Sequence, residues 1–202
     1  MPSYESVEKI LKGMKGYVVL FQEAFPQDKD PVNVDNFAKA IGAFERTLVT
    51  PGPFDDFMNG NAKALTEQQK RGLKTFIGTA CITCHLSPYV GGQSYQKFGV
   101  FKPYEQYTKS AQVDEGRFAV TKNPADKFFF KVPVLRNVAE TPPYFHDGSV
   151  DKLEEVVVIM AKIQLAKDLT ADQVADITAF LKSLTGRIPE MALTVPVLPS
   201  AQ

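Results

Sequence analysis

Apolar positions recur at helical intervals along most of this chain. Short helices are predicted over Tyr4 to Leu11 and Tyr17 to Ala24, with a turn region from Phe25-Pro26 to Pro31. A stronger helix is predicted from Asn33 to Leu48, where Phe37, Ile41, Phe44 and Leu48 share one face. Pro51-Gly52-Pro53 ends it and marks a domain boundary. Thr66-Glu67-Gln68-Gln69 has the form of a capping box, opening a helix whose stripe is Leu73, Phe76 and Ile77 and which runs directly into Cys81. Residues Ser87 to Pro133 show no sustained period and are rich in Gly, Tyr, Phe and Lys, with Phe128-Phe129-Phe130 as a short strand. A loop this long is usually functional or packed on a ligand. Asp151 to Ala161 places Leu153, Val156, Val157 and Met160 on one helical face. A second capping box, Thr170-Ala171-Asp172-Gln173, opens a helix carrying Ile177, Phe180, Leu181 and Leu184, which Gly186 stops. The pattern divides the chain at residues 1–50, 51–187 and 188–202, the last an extended, proline-containing tail.

Composition changes this picture little. At 202 residues, 44% hydrophobic and 23% charged, the chain has ordinary globular content and enough length for one substantial domain. Its formal net charge of zero points to neither nucleic acid nor an anionic membrane as a partner. The most apolar run, Val156 to Met160, is far shorter than a membrane span. Met1-Pro2-Ser3-Tyr4 does not open a signal peptide, so a mature form, a fragment or a recombinant form is expected.

Candidate chemistry is concentrated in Cys81-Ile82-Thr83-Cys84-His85. The chain has two cysteines, both here, and two histidines, one of which closes the motif. This is the spacing of a covalent c-type haem attachment site, with two thiols for thioether bonds and an adjacent imidazole for the iron. A thioredoxin-like redox pair would require a βαβ pattern, a zinc site would call for a second ligand pair, and a structural disulfide would leave His85 unexplained.

A low-spin c-type haem needs a second axial ligand, and in electron carriers this is often methionine. Met14, Met58, Met160 and Met191 are the candidates. Met160 is best placed, on the apolar face of a helix downstream of the motif, although gap-filling core is the commoner fate of a methionine. His146 is a rival that reads better as a hydrogen-bonding loop residue.

Several strings carry a family resemblance. They are Asn36 to Ile41 with Ala43 to Leu48, Gly72 to His85, Gly91-Gly92, Lys131-Val132-Pro133-Val134-Leu135-Arg136-Asn137-Val138, and Thr141-Pro142-Pro143-Tyr144-Phe145-His146-Asp147-Gly148. Through them the chain resembles the C-terminal two-thirds of bacterial di-haem cytochrome c peroxidases, a group that includes MauG-like proteins. The resemblance implies a mainly α fold, with a cytochrome c-like haem domain bearing long irregular loops (51–187) preceded by a helical remnant of a first domain (1–50). It implies one covalent haem c, with His85 and Met160 as axial ligands of the electron-accepting, high-potential haem. MauG-like relatives have a tyrosine in the distal role, so the methionine argues against that branch. The resemblance also implies a calcium ion held partly by the backbone carbonyls of Thr141 and Pro143, weakened here by the lack of a counterpart to the family's asparagine ligand.

The chain has no first Cys-x-x-Cys-His and no tryptophan to lie between two haems. The expected function is therefore electron transfer, as the electron-accepting unit of a protein that reduces hydrogen peroxide. A complete peroxidase, if a second haem domain is present in the natural chain, and a non-enzymatic haem sensor or binding module are the alternatives. The implied partners are a small donor such as a cytochrome c or cupredoxin, hydrogen peroxide at the other haem, and a second copy in a homodimer. The implied location is the periplasm. Arg136 is a candidate for a haem propionate, against an ordinary salt bridge. Tyr95, Lys97 and Tyr144 are candidates for the crevice wall, and Glu45-Arg46 reads as a solvated helix face.

Overall fold

In the computed structural model of the protein, which describes residues 3–110 and 112–199, the chain forms two compact units. The first comprises the chain up to Thr50 together with the segment from Ile188. The second is Pro51–Arg187.

The smaller unit holds α1 (Tyr4–Lys12), α2 (Lys15–Ala24) and α3 (Val34–Glu45). Ser3 and Asn33 cap α1 and α3 with side-chain oxygens that accept the amides of Ser6 and Asn36. The buried residues are Val7, Phe21, Pro31, Val32 and Asn36. The face predicted to be core on α3 is largely open, with Ile41, Phe44 and Leu48 exposed to 43%, 49% and 40%. Three helices form too thin a layer to enclose it. The helix also ends at Glu45 rather than Leu48, the Thr47 and Leu48 amides turning back to the carbonyls of Phe44 and Glu45. The tail is not uniformly extended. It contains a short helix, Glu190–Leu193, and Pro199 approaches Gly16, where a Cβ would fall 2.3 Å from the proline ring.

The larger unit contains α4 (Pro53–Met58), α5 (Glu67–Gly78), α6 (Glu105–Thr108), α7 (Phe118–Thr121), α8 (Leu153–Leu165) and α9 (Ala171–Lys182), leaving α10 as the tail helix (Glu190–Leu193). Both capping boxes form: Thr66 and Thr170 accept the amides of Gln69 and Gln173, whose side chains accept the threonine amides in return. β1 (Tyr95–Lys97) and β2 (Phe129–Lys131) make the only named sheet among the described residues, antiparallel with Gln96 opposite Phe130. The strand starts one residue later than the Phe128 to Phe130 run suggests. Phe128 is left-handed at φ 64°, and its carbonyl accepts the Phe98 amide while its own amide goes to Glu115.

α5 and α9 form the most extensive helix contact. Gly72 makes it possible: a Cβ there would lie 1.9 Å from the Asp176 carbonyl oxygen and 2.8 Å from the Phe180 Cβ. Arg71 braces the crossing with a two-bond grip on Asp176, both at 3.1 Å. Phe76 and Phe180 meet below it with ring centroids 5.3 Å apart, joined by Phe54 at 5.5 Å from Phe180. α8 runs to Leu165, four residues beyond the predicted end. It is apolar on more than one side, burying Leu153 and Val157 in the main core and Ile159 and Ile163 in a second cluster with Tyr104.

Replacing Gly72 with alanine tests the crossing. In an exposed helix this change would stabilise by about 1 kcal/mol. Here the added methyl meets backbone, so a loss of about 1–3 kcal/mol is expected in denaturant unfolding. An unchanged or raised midpoint would contradict the close approach.

Candidate haem site

α5 ends at Gly78, and Ala80 turns the chain out through a left-handed conformation, φ 75°. Cys81–Thr83 then forms a 3-10 turn in which the amides of Cys84 and His85 donate to the Cys81 carbonyl at 3.3 and 3.1 Å. The turn sets the two sulfurs and the imidazole on a single short spur that follows α5, next to the buried Phe76 and Thr79. The thiols are unpaired and half-buried. Burial pushes both thiols above their ordinary value, although a Thr79 hydroxyl 3.4 Å from the Cys81 sulfur acts in the opposite direction.

The spur opens onto a cleft lined almost wholly by apolar side chains, the kind of lining that cofactor sites favour. Cys81, Cys84 and His85 line one part of it. Leu153, Val157 and Met160 of α8 line another, with Ile177 and Leu181 of α9. Met160 therefore shares a cavity with the haem motif. Among the other candidate methionines, Met14 begins α2 in the smaller unit, while Met58 and Met191 are exposed.

His85 is held from behind. Its Nδ1 is buried and faces the backbone of Val90 and Pro133 without closing a hydrogen bond of normal geometry. Nδ1 and the Pro133 carbonyl oxygen converge on Gly91. Gly91 permits this approach at φ 125°: a Cβ there would sit 2.1 Å from the Pro133 oxygen and 3.1 Å from Nδ1. Burial lowers the imidazole's proton affinity, favouring the neutral ring that a metal requires. A backbone partner at Nδ1 leaves Nε2 as the metal-binding nitrogen, the usual arrangement for ligating histidines. The orphaned nitrogen, the paired thiols and the apolar cleft all fit a c-type haem.

Other candidates are placed differently. Arg136 grips Asp55 with two bonds, 2.7 and 2.8 Å, and also donates to the Pro88 carbonyl from Nε and Nη2. Its guanidinium lies 5.2 Å from the Phe54 ring centre. This is the ordinary salt bridge weighed against a propionate contact. Tyr95 and Lys97 lie on exposed β1 and Tyr144 is in the main core, so none lines the cleft. His146 sits in an aromatic nest, stacked on Phe130 at 4.2 Å and edge-on to Phe98 and Tyr104. Thr141 and Pro143 flank Pro142 on an exposed loop. No cluster of three metal-binding side chains occurs among the described residues. Glu45 and Arg46 are exposed.

Sequence reading missed two cleft features. Gln164, one turn beyond Met160, lines the cleft and grips a distant loop. Lys167 reaches the Thr79 carbonyl, 3.0 Å away and next to the haem motif. Helical spacing from Met160 could have flagged the first. No local signal points to the second.

A helical unit with Cys-x-x-Cys-His on the rim of an apolar cleft defines the general class, that of proteins equipped to attach haem covalently. Comparison with known proteins narrows it. Residues 1–63 match the model of the di-haem cytochrome c peroxidase family. The chain is 46% identical over 198 residues to the cytochrome c551 peroxidase of Nitrosomonas europaea, covering 98% of this chain and 57% of that protein. It is 47% identical over 197 residues to the cytochrome c551 peroxidase of Pseudomonas aeruginosa, covering 96% and 56%. A crystal structure of a MauG-like protein associated with microbial copper homeostasis superposes with a TM-score of 0.73 at 28% identity, covering 91% of this chain and 62% of that one. The chain belongs to the di-haem cytochrome c peroxidase and MauG-like family, and spans little more than half the length of these curated relatives.

The Arg136–Asp55 pair has a pH signature. Burial alone would raise the Asp55 carboxyl, but the Gly52 amide and the Arg136 guanidinium outweigh it and hold the group below its ordinary value. Its stabilisation is therefore complete above the unfolded carboxylate pKa, about 3.9, and is lost as pH falls through the lower folded value. Asp55→Asn should cost about 1–3 kcal/mol at neutral pH. The gap from wild type should narrow below about pH 4. A gap that persists unchanged into strong acid would contradict the assignment.

Proposed function

We propose that this chain binds one haem c through Cys81 and Cys84, with His85 and Met160 as axial ligands, and serves as the electron-accepting unit of a di-haem protein that reduces hydrogen peroxide. The supporting observation is that both cysteines, His85 and Met160 line one apolar cleft. The family membership and the peroxidase names of the two relatives support the reaction class.

A bound haem supplies a one-electron ferric–ferrous couple, and a thioether axial ligand raises its potential. The remaining chemistry belongs to the chain's own groups. Cys81 and Cys84 provide sulfurs for two thioether bonds and fix the attachment edge through the 3-10 turn. The neutral His85 ring presents Nε2, backed at Nδ1 by the Pro133 carbonyl. Met160 comes from α8, which lines the same cleft. Phe76, Leu153, Val157, Ile177 and Leu181 exclude water, which disfavours added charge and favours the reduced state.

With both axial positions taken, peroxide finds no open site here. Peroxide reduction would then belong to a second haem-binding unit, and this chain would be the one that takes up electrons from a small cytochrome c or cupredoxin. Thioether formation follows export, so the reading includes a periplasmic location; no helix among the described residues is long and apolar enough to cross a membrane. It extends to a loosely held calcium ion on the Thr141 and Pro143 carbonyls, completed by water, and to a homodimer.

Intact mass and a reduced-minus-oxidised spectrum of protein matured with a c-type haem attachment system test this. The expected result is one covalent haem, lost in the Cys81→Ala/Cys84→Ala double variant, and a potential that falls when Met160 is replaced by alanine. A colourless protein of unmodified mass would overturn the proposal. So would a Met160→Ala potential equal to that of wild type.

A further inference from the structure

We infer that Gln164 is a positioning residue that holds Met160 in the haem cleft, an inference resting on the reading of Met160 as an axial ligand. Gln164 lies in the last turn of α8, four residues after Met160 and on the same face, and both line the cleft. Both ends of its amide bond a distant segment. Oε1 accepts the Gly99 amide at 2.7 Å and the Val100 amide at 3.1 Å, while Nε2 donates to the Lys97 carbonyl at 2.9 Å.

The same segment satisfies a backbone group at the helix end. The final four carbonyls of a helix have no intrahelical partner. Ile163 contributes one of them, and it accepts the amides of Phe101 and Lys102 at 2.9 and 3.4 Å. The loop is shaped for this task. Gly99 has φ 87°, and a Cβ there would fall 2.7 Å from the Lys102 oxygen, a turn that aims two successive N–H groups at one acceptor. On the other side of the helix terminus, Lys167 donates to the Thr79 carbonyl two residues before Cys81.

Helix ends fray unless something holds them. The end of α8 is held at two places, toward the 97–102 loop and toward the root of the haem motif. Met160 is one turn inside that end. A last turn free to unwind would let the thioether leave the cleft, so the clamp controls how firmly the distal position stays closed to outside ligands. The 97–102 loop thereby acquires a role that its irregular sequence does not announce.

The test uses matured holoprotein in four forms: wild type, Gln164→Ala, Gln164→Glu and Lys162→Ala. The glutamate variant keeps the acceptor for Gly99 and Val100 but loses the donor to Lys97. The lysine variant removes an ion pair with Asp168 from the same turn without touching the clamp. Three readouts are taken: hydrogen exchange at the Gly99 and Val100 amides, the near-infrared sulfur-to-iron band, and carbon monoxide binding after reduction.

Gln164→Ala should exchange those amides roughly tenfold faster, weaken the band and bind carbon monoxide that wild type excludes. Gln164→Glu should lie between them, and Lys162→Ala should match wild type. Faster exchange with an intact band and no carbon monoxide binding would overturn the inference, as would unchanged exchange. Equal effects from Lys162→Ala would overturn it too. If Gln164→Ala does not fold, a glutamate variant indistinguishable from wild type is the contradicting result. A wild type that lacks the band identifies the failure as that of Met160 ligation, and the inference falls with it.

Discussion

At Gly72 the backbones of α5 and α9 come so near that a methyl group would fall 1.9 Å from the Asp176 carbonyl oxygen. That contact sets where α5 ends, and the Cys81–Thr83 turn follows directly from that end. It also sets where α9 presents Ile177 and Leu181, which form a wall of the cleft. α8 packs on α9 and brings Met160 to the same cavity. The haem motif and its distal candidate are thus positioned through a helix crossing that itself contains no cofactor chemistry.

Polar groups around the cleft are arranged to keep it dry and neutral. The His85 ring is neutral and backed by peptide carbonyls, the thiols are protonated, and the nearby Arg136 charge is held by Asp55 and the Pro88 carbonyl. Apart from the haem motif and Met160, Gln164 is the one polar side chain in the lining, and its amide is spent on backbone groups of the 97–100 loop. An unpaired polar group at such a wall would be costly to desolvate. Two buried side-chain atoms among the described residues close no hydrogen bond: Thr178 Oγ1 on α9, and His85 Nδ1, the nitrogen that a metal ligand needs oriented.

The local code in the sequence was highly legible where caps and periodicity agreed. The Thr66 and Thr170 capping boxes placed the starts of α5 and α9 within a residue, because reciprocal cap bonds depend only on neighbours, whereas α5 stops at Gly78 rather than running into Cys81 and α9 stops at Lys182, short of Gly186. Periodicity likewise put Met160 on the helix that α8 forms. Periodicity misjudged α3, whose Ile41, Phe44 and Leu48 stripe is open: a period reports which residues share a face, not what covers that face. The sequence left Arg136 open between a propionate and a salt bridge because its partner, Asp55, lies 81 residues away, and spacing alone could not place Tyr95, Lys97 and Tyr144 relative to the cleft. Gln164 was invisible as a clamp because its target, 97–100, has no regular pattern and meets it only through the fold.

The most direct check is X-ray absorption at the iron edge of matured protein, comparing wild type with Met160→Leu. A sulfur scatterer in the first coordination shell of wild type, replaced by a lighter atom or a vacancy in the variant, is the expected result. A shell of nitrogen and oxygen alone in wild type, or a sulfur contribution that survives the leucine substitution, would contradict the placement of iron between His85 and Met160.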